Sequence, residues 1–208
     1  MKNLLRKIYN LHPLVGFPSV VRIGLNRELK RQFSRLKKGV VMDVGSKLSP
    51  YKSLIPSTEY LRLDIDPDSK PNICSDLHSI IGYDNYFDTV IATEVLEHLY
   101  DPQLAIDQLY KILKPGGVMI LSTRFIHRLH PDPQDFYRFT PDSFNHLMKK
   151  FSKVEIFHHG NRLQTLWYIF VNNKIAMLFL LPLLNPIFAL INVKKTDFPL
   201  GYVVYSVK

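Results

Sequence analysis

Several short polar clusters in this 208-residue chain combine residue types that could do chemistry. Asp43-Val44-Gly45-Ser46 follows an apolar run, and a glycine there lets the backbone turn tightly and come close to a ligand. Asp64 ends the next such run about twenty residues later, the usual separation for an acid that accepts hydrogen bonds from ribose hydroxyls. Ser75-Asp76-Leu77 and Thr93-Glu94 close two more runs. Farther on, STRFIHRLHPDPQDFYRFTPDSF holds His127, His130, Asp135, Tyr137 and Arg138, groups suited to proton transfer and to binding polar substrates. No stretch matches G-x-G-x-x-G, so a dinucleotide pyrophosphate is a poor fit and a ligand without phosphates suits the acidic lining better. The single cysteine, Cys74, has no companion for a disulfide or a thiolate zinc site; it reads as a small buried residue in a reducing compartment, and no metal is expected.

The elements that must position these groups alternate. Strand patterns fall at 40–44, 59–65, 72–74, 87–93, 117–123, 153–159 and 202–207. A helix opens at Asp101 or Pro102 and closes at Pro115-Gly116-Gly117, with Glu97-His98 placed one turn into a helix; another is expected over 141–150. Such alternation predicts an α/β fold with a parallel sheet covered by helices on both faces, where ligands bind outside the carboxyl ends of the strands. As single residues, Asp66, Asp76 and Asp88 also suit turns and caps.

The net charge of +9 sits at one end: residues 1–38 hold ten basic side chains against the single acid Glu28, and residues 39–208 carry 17 of each sign. Leu25, Leu29, Phe33 and Leu36 form an apolar stripe, so 22–38 reads as a basic amphipathic helix ending at Gly39, and the opening residues lack the pattern of a signal peptide. The division expected is a basic arm over 1–38 and a body over 39–208, with an apolar helical insertion at about 160–200 before the last strand. Residues 175–193 carry no charge, but Pro182 and Asn185-Pro186 cut them into limbs too short for two crossings, leaving a surface hairpin, a homodimer interface or a lid. The arm and this segment together suggest peripheral contact with anionic membrane. Nucleic acid is not expected as a partner, because the arm lacks interleaved aromatics.

The order VVMDVGSKLSPY, LDID, CSDL, FDTVIATEVLEHLYDP and LKPGG resembles the class I S-adenosylmethionine-dependent methyltransferases over about residues 38–150 plus the last strand. EVLEHL ahead of LKPGG is the specific pair; each alone is weak. The resemblance implies a Rossmann-like, seven-stranded, mostly parallel sheet whose last strand runs antiparallel beside the fifth. It implies S-adenosyl-L-methionine as cofactor, with Asp43, Gly45 and Ser46 on the methionine side, Asp64 at the ribose, Asp76 and Leu77 at the adenine and Glu94 beside the cofactor. Lys47 departs from the pattern, which more often has a second glycine there. HPDPQDFYRFTP is similar to a stretch of a subgroup associated with bacterial surface polysaccharides, implying a small-molecule or lipid-linked glycan acceptor and a cytoplasmic enzyme, peripheral at the inner membrane face. His130 is then the expected general base or acceptor-orienting group, with Asp135 and Arg138 fixing its loop. Methylation of a quinone or other apolar acceptor, and a non-catalytic binding member of the fold, are the competing readings.

Overall fold

A computed structural model describes residues 19–130, 133–171, 187, 188, 190, 191 and 196–208. The expectations for residues 1–18 and for most of the apolar segment lie outside these residues. Seven strands, β1 (Gly39–Val44), β2 (Ser57–Asp64), β3 (Ile73–Cys74), β4 (Phe87–Thr93), β5 (Leu113–Arg124), β6 (Lys153–His159) and β7 (Gly201–Val207), form one sheet in the order β3-β2-β1-β4-β5-β7-β6. All pairs from β3 to β5 are parallel, and β7 is antiparallel to both β5 and β6. Strand order reverses between β1 and β4, which opens a crevice at their carboxyl ends.

The period-two alternation of the central strands decides what covers each face. Val41, Ile91 and Ile120 point to one side, where α1 (Val20–Phe33) buries Leu25, Leu29 and Phe33 together with Val203 and Tyr205. Met42, Val90, Ala92, Met119 and Leu121 point to the other, under α2 (Pro102–Ile112) and α3 (Pro141–Leu147). The helix of the basic region therefore lies on the sheet. Its basic face, including Lys30, Arg31, Lys37 and Lys38 at and beyond its end, stays in solvent, and Arg35 pairs with Glu155 while its guanidinium sits 3.7 Å over the Tyr205 ring.

Several boundaries differ from expectation. Helix α1 ends at Phe33, not at Gly39, because Ser34 to Leu36 turn inward to bury Leu36. Helix α3 stops at Leu147, short of 150. Asp101 does cap α2, accepting the Leu104 N–H at 2.9 Å, but the helix ends at Ile112 and Lys114-Pro115-Gly116-Gly117 already belong to β5. That segment forms a bulge, the register with β4 shifting between Phe87 and Thr89, and Gly116 supplies the φ of +75° it needs. Glu97-His98 lie in a short 3-10 turn, Leu96–His98, rather than in a helix. Cys74 is exposed, since β3 is the sheet edge.

A fourth helix, α4 (Arg162–Val171), follows β6; Trp167 stacks on Phe188 at 4.5 Å, while Leu163, Leu166, Ile169 and Phe170 are exposed. Among the described residues no helix is long and apolar enough to cross a membrane.

Candidate active site

The crevice is built first by the loop after β1. Gly45 takes φ +61° and donates its N–H to the Leu63 carbonyl at 2.7 Å, and a Cβ there would stand 2.7 Å from Cγ2 of Val95. Ser46 and Ser49 share a hydroxyl hydrogen bond of 2.9 Å. Lys47, at φ +48°, keeps its side chain exposed and donates its N–H to Asp64 at 3.1 Å. Asp64 also accepts the Asp66 N–H, at 3.0 Å, on its other oxygen, so each carboxylate oxygen keeps a lone pair for a further donor. Beneath the loop Asp43 is buried and accepts the Tyr60 hydroxyl at 2.5 Å; burial raises its pKa. A glycine-walled turn beside a held carboxylate with spare acceptor capacity fits the methionine and ribose parts of S-adenosylmethionine.

Asp76 caps the turn Leu77–Ser79, and its Oδ1 accepts the backbone N–H of His78 at 2.9 Å, which holds its pKa down. Its other oxygen is not used by that cap. Leu77 is buried against the core. Asp66 and Asp88 do structural work, Asp66 capping Pro67–Ser69 and Asp88 accepting from Val40 N–H and Lys114, each at 2.8 Å for Asp88.

Glu94, at φ +57°, follows β4 and forms an ion pair with Arg124 at the end of β5, while Ser122 Oγ lies 3.3 Å from its Oε1. Burial works against its charge, but Arg124, helped by Arg22, keeps its pKa below the ordinary value. Three residues on, Glu97 is wholly buried with no hydrogen-bond partner for either carboxylate oxygen among the described residues. Burial, and then repulsion from Glu94, push its pKa up to about 8.

The loop after β5 is clamped onto this turn. Phe136 donates its N–H to the Glu97 carbonyl at 2.9 Å, and His98 Nδ1 meets the Gln134 carbonyl. Asp135 holds Arg138 through both oxygens, one bond at 2.7 Å, and accepts the His130 N–H at 3.1 Å; its pKa is strongly lowered, chiefly by Arg138. The His130 ring packs edge to face between His98 and His127, with centroids 4.9 Å away in both cases. Burial and Arg124 depress its pKa, which favours the neutral ring. His127, which contacts Arg124, is lowered to about 4, mainly by burial.

The structure thus joins Asp43, Gly45, Ser46 and Asp64 into one loop system, and His130, Asp135 and Arg138 into another beside the Glu94–Arg124 pair; Asp76 and Leu77 follow β3, where the Ser75 N–H donates to the Asp64 carbonyl at 3.2 Å. Sequence reasoning missed Arg124, Glu97 and Tyr60. Arg124 was open to inference, because Thr93 pairs with Ser122 and so the ends of β4 and β5 bring Glu94 and Arg124 side by side.

His159, at the end of β6, is buried behind the site with neither ring nitrogen hydrogen-bonded among the described residues, and burial lowers its pKa to about 4. The unfolded ring protonates near 6.5, so between pH 6.5 and 4 the unfolded chain binds more protons and stability is lost as the pH falls. One such residue contributes about 1 kcal/mol per pH unit in that window. Denaturant unfolding at several pH values should show a flatter acid limb for His159→Gln than for the parent chain; identical limbs would count against this origin.

Residues 25–179 match the family model described as "Methyltransferase domain". A ubiquinone biosynthesis O-methyltransferase of Psychrobacter cryohalolentis is 51% identical over 37 residues, 18% of this chain and 14% of that protein, so the match spans a small part of the relative's length. A SAM-dependent methyltransferase from Archaeoglobus fulgidus superposes with a TM-score of 0.59 at 17% identity, covering 92% of this chain and 95% of that one. A phosphoethanolamine N-methyltransferase 2 of Haemonchus contortus, crystallised with phosphomonomethylethanolamine and S-adenosylhomocysteine, gives 0.56 at 15% identity over 88% of this chain and 52% of its own. With the sheet order, the glycine turn and the family match in agreement, the chain belongs to the methyltransferase domain family of S-adenosylmethionine-dependent enzymes.

Proposed function

We propose that the enzyme methylates a hydroxyl of a glycan or glycolipid intermediate. The observation that carries the reading is the His130 imidazole placed by the Asp135–Arg138 loop after the carboxyl end of β5, where burial and Arg124 lower its pKa. S-adenosylmethionine supplies an electrophilic methyl group on a sulfonium. Alignment of donor and acceptor, and removal of the hydroxyl proton, are then left to the protein. Asp64 accepts from the ribose hydroxyls, Glu94, paired with Arg124, lines the cofactor end of β4, and His130 takes or orients the acceptor proton. The exposed apolar face of α4 and the basic surface of α1 support an amphipathic acceptor met at an anionic membrane surface. The local identity with ubiquinone biosynthesis O-methyltransferases favours a second acceptor, a phenolic hydroxyl of a quinone precursor.

Calorimetric titration with S-adenosylmethionine, followed by methyl-transfer assays on lipid-linked sugars and on quinol precursors, separates these readings. Asp64→Ala should weaken cofactor binding at least about 10-fold, and His130→Gln should lower kcat about 100-fold with loss of the acidic limb of the pH profile. Unchanged turnover in His130→Gln removes it from the mechanism. Absence of cofactor binding would favour a non-catalytic member of the fold.

A further inference from the structure

The turn Leu96–His98 and the loop after β5 bring Glu97, His98 and His130 to one point, where one potential ligand atom from each lies within 4.8 Å of the others. We propose that these three side chains bind a divalent transition-metal ion. The first reason is Glu97. A wholly buried carboxyl group with no partner among the described residues is expensive to keep, and a cation that takes the place of its proton is a partner that resolves it. The nearby guanidinium groups are already committed, Arg124 to Glu94 and Arg138 to Asp135.

The histidines supply the second reason. His98 Nδ1 faces the Gln134 carbonyl, so that nitrogen carries the proton and Nε2 keeps its lone pair. His130 Nδ1 is buried 3.0 Å from Asp135 Oδ2 without a hydrogen bond, and its ring is held by edge-to-face packing between His98 and His127. The backbone carbonyl behind the His98 ring is the kind of support that ligating histidines use to fix tautomer and orientation. Two imidazoles with one carboxylate suit manganese, iron(II), cobalt, nickel or zinc, whereas magnesium and calcium favour oxygen donors. An ion about 2.0–2.2 Å from each ligand atom needs them roughly 3–4 Å apart. Closing from the present spacing asks for about an ångström of side-chain movement.

Three protein ligands leave coordination positions open. An acceptor hydroxyl bound there would release its proton to water near neutral pH, and His130 would orient the acceptor through the ion. That consequence rests on the O-methylation reading; the binding site does not.

The test is titration of the tag-free full-length chain with Co(II), read by its visible ligand-field absorption. One ion per chain is expected, displaced by Zn(II), and Glu97→Gln, His98→Gln and His130→Gln should each weaken binding at least about 10-fold. His146→Gln, on the exposed face of α3, should leave it unchanged. Should Glu97→Gln fail to fold, His98→Gln at its half-buried position carries the same comparison. No stoichiometric binding, or binding indifferent to His98→Gln and His130→Gln, overturns the site. Cobalt binding without methyl transfer to any hydroxyl would instead sink the O-methylation reading and leave the site standing.

Discussion

Glu94→Ala is expected to destabilise the folded chain by about 3–5 kcal/mol, the range for removing one partner of a buried ion pair. Both members are largely covered, with side-chain exposures of 12% for Glu94 and 20% for Arg124. Burial alone would raise the Glu94 pKa, and Arg124 together with Arg22 and His159 more than offsets it. Deleting the carboxylate leaves a guanidinium facing His127 in a site from which water is mostly excluded. Glu97 is the group able to compensate in part. Its pKa is held up by burial and by Glu94, so losing Glu94 lets it ionise more readily near Arg124. Glu94→Gln, which keeps the shape and loses the charge, should fall between the parent and the alanine variant. Removing both charges in Glu94→Leu with Arg124→Leu should recover most of the loss, since an apolar pair leaves no buried charge unmatched. Denaturant unfolding checks the series, and a loss under about 1 kcal/mol in Glu94→Ala would mean that solvent reaches the pair.

How far this arrangement could be read from sequence depends on the range of the interaction that fixes each part. The strands were legible because each buries a short β-branched or apolar run, and the sheet order followed from the motif resemblance. Caps at Asp101 and Asp76 were legible because they satisfy backbone N–H groups two or three residues away. The end of α1 was not, because the inward turn that buries Leu36 against the sheet is a tertiary effect. The same holds for Lys114 to Gly117, where pairing with β4 competes with continuation of α2.

At the site, a residue's type and strand-end position brought Asp43, Gly45, Asp64 and Glu94 into view. Their partners lie 17 to 30 positions away, as with Tyr60 for Asp43 and Arg124 for Glu94, and no local pattern marks them. Glu97 was hidden for another reason. On a helix it would have had an exposed face to occupy; in the 3-10 turn Leu96–His98, its carbonyl serving as the anchor for Phe136, its carboxyl is driven inward. The acidic crevice and the histidine loop are therefore one electrostatic unit. Arg124 ties them together, neutralising Glu94 on one side and depressing the pKa values of His127 and His130 on the other.

Gly45→Ala should lower stability by about 2–5 kcal/mol and weaken S-adenosylmethionine binding at least about 10-fold. Two separable penalties add. The φ of +61° costs an L-residue about 1–2 kcal/mol, and a Cβ placed 2.7 Å from Val95 Cγ2 overpacks the floor of the loop for about 1–3 kcal/mol more. Val95 is β-branched and cannot swing away through a soft χ1, so relief must come from the backbone. That backbone carries the Gly45 N–H bond to Leu63 and, two residues on, the Lys47 N–H that holds Asp64. A shift of a few tenths of an ångström there misplaces the carboxylate assigned to the ribose, which is why affinity falls along with stability. Gly45→Ala combined with Val95→Ala separates the causes: removing the valine methyls relieves the contact but not the φ, so about half of the lost stability should return relative to Val95→Ala alone. Full recovery would assign the whole effect to crowding. A neutral Gly45→Ala, with cofactor affinity unchanged by calorimetry, would show that the turn neither needs its left-handed residue nor sets the position of Asp64.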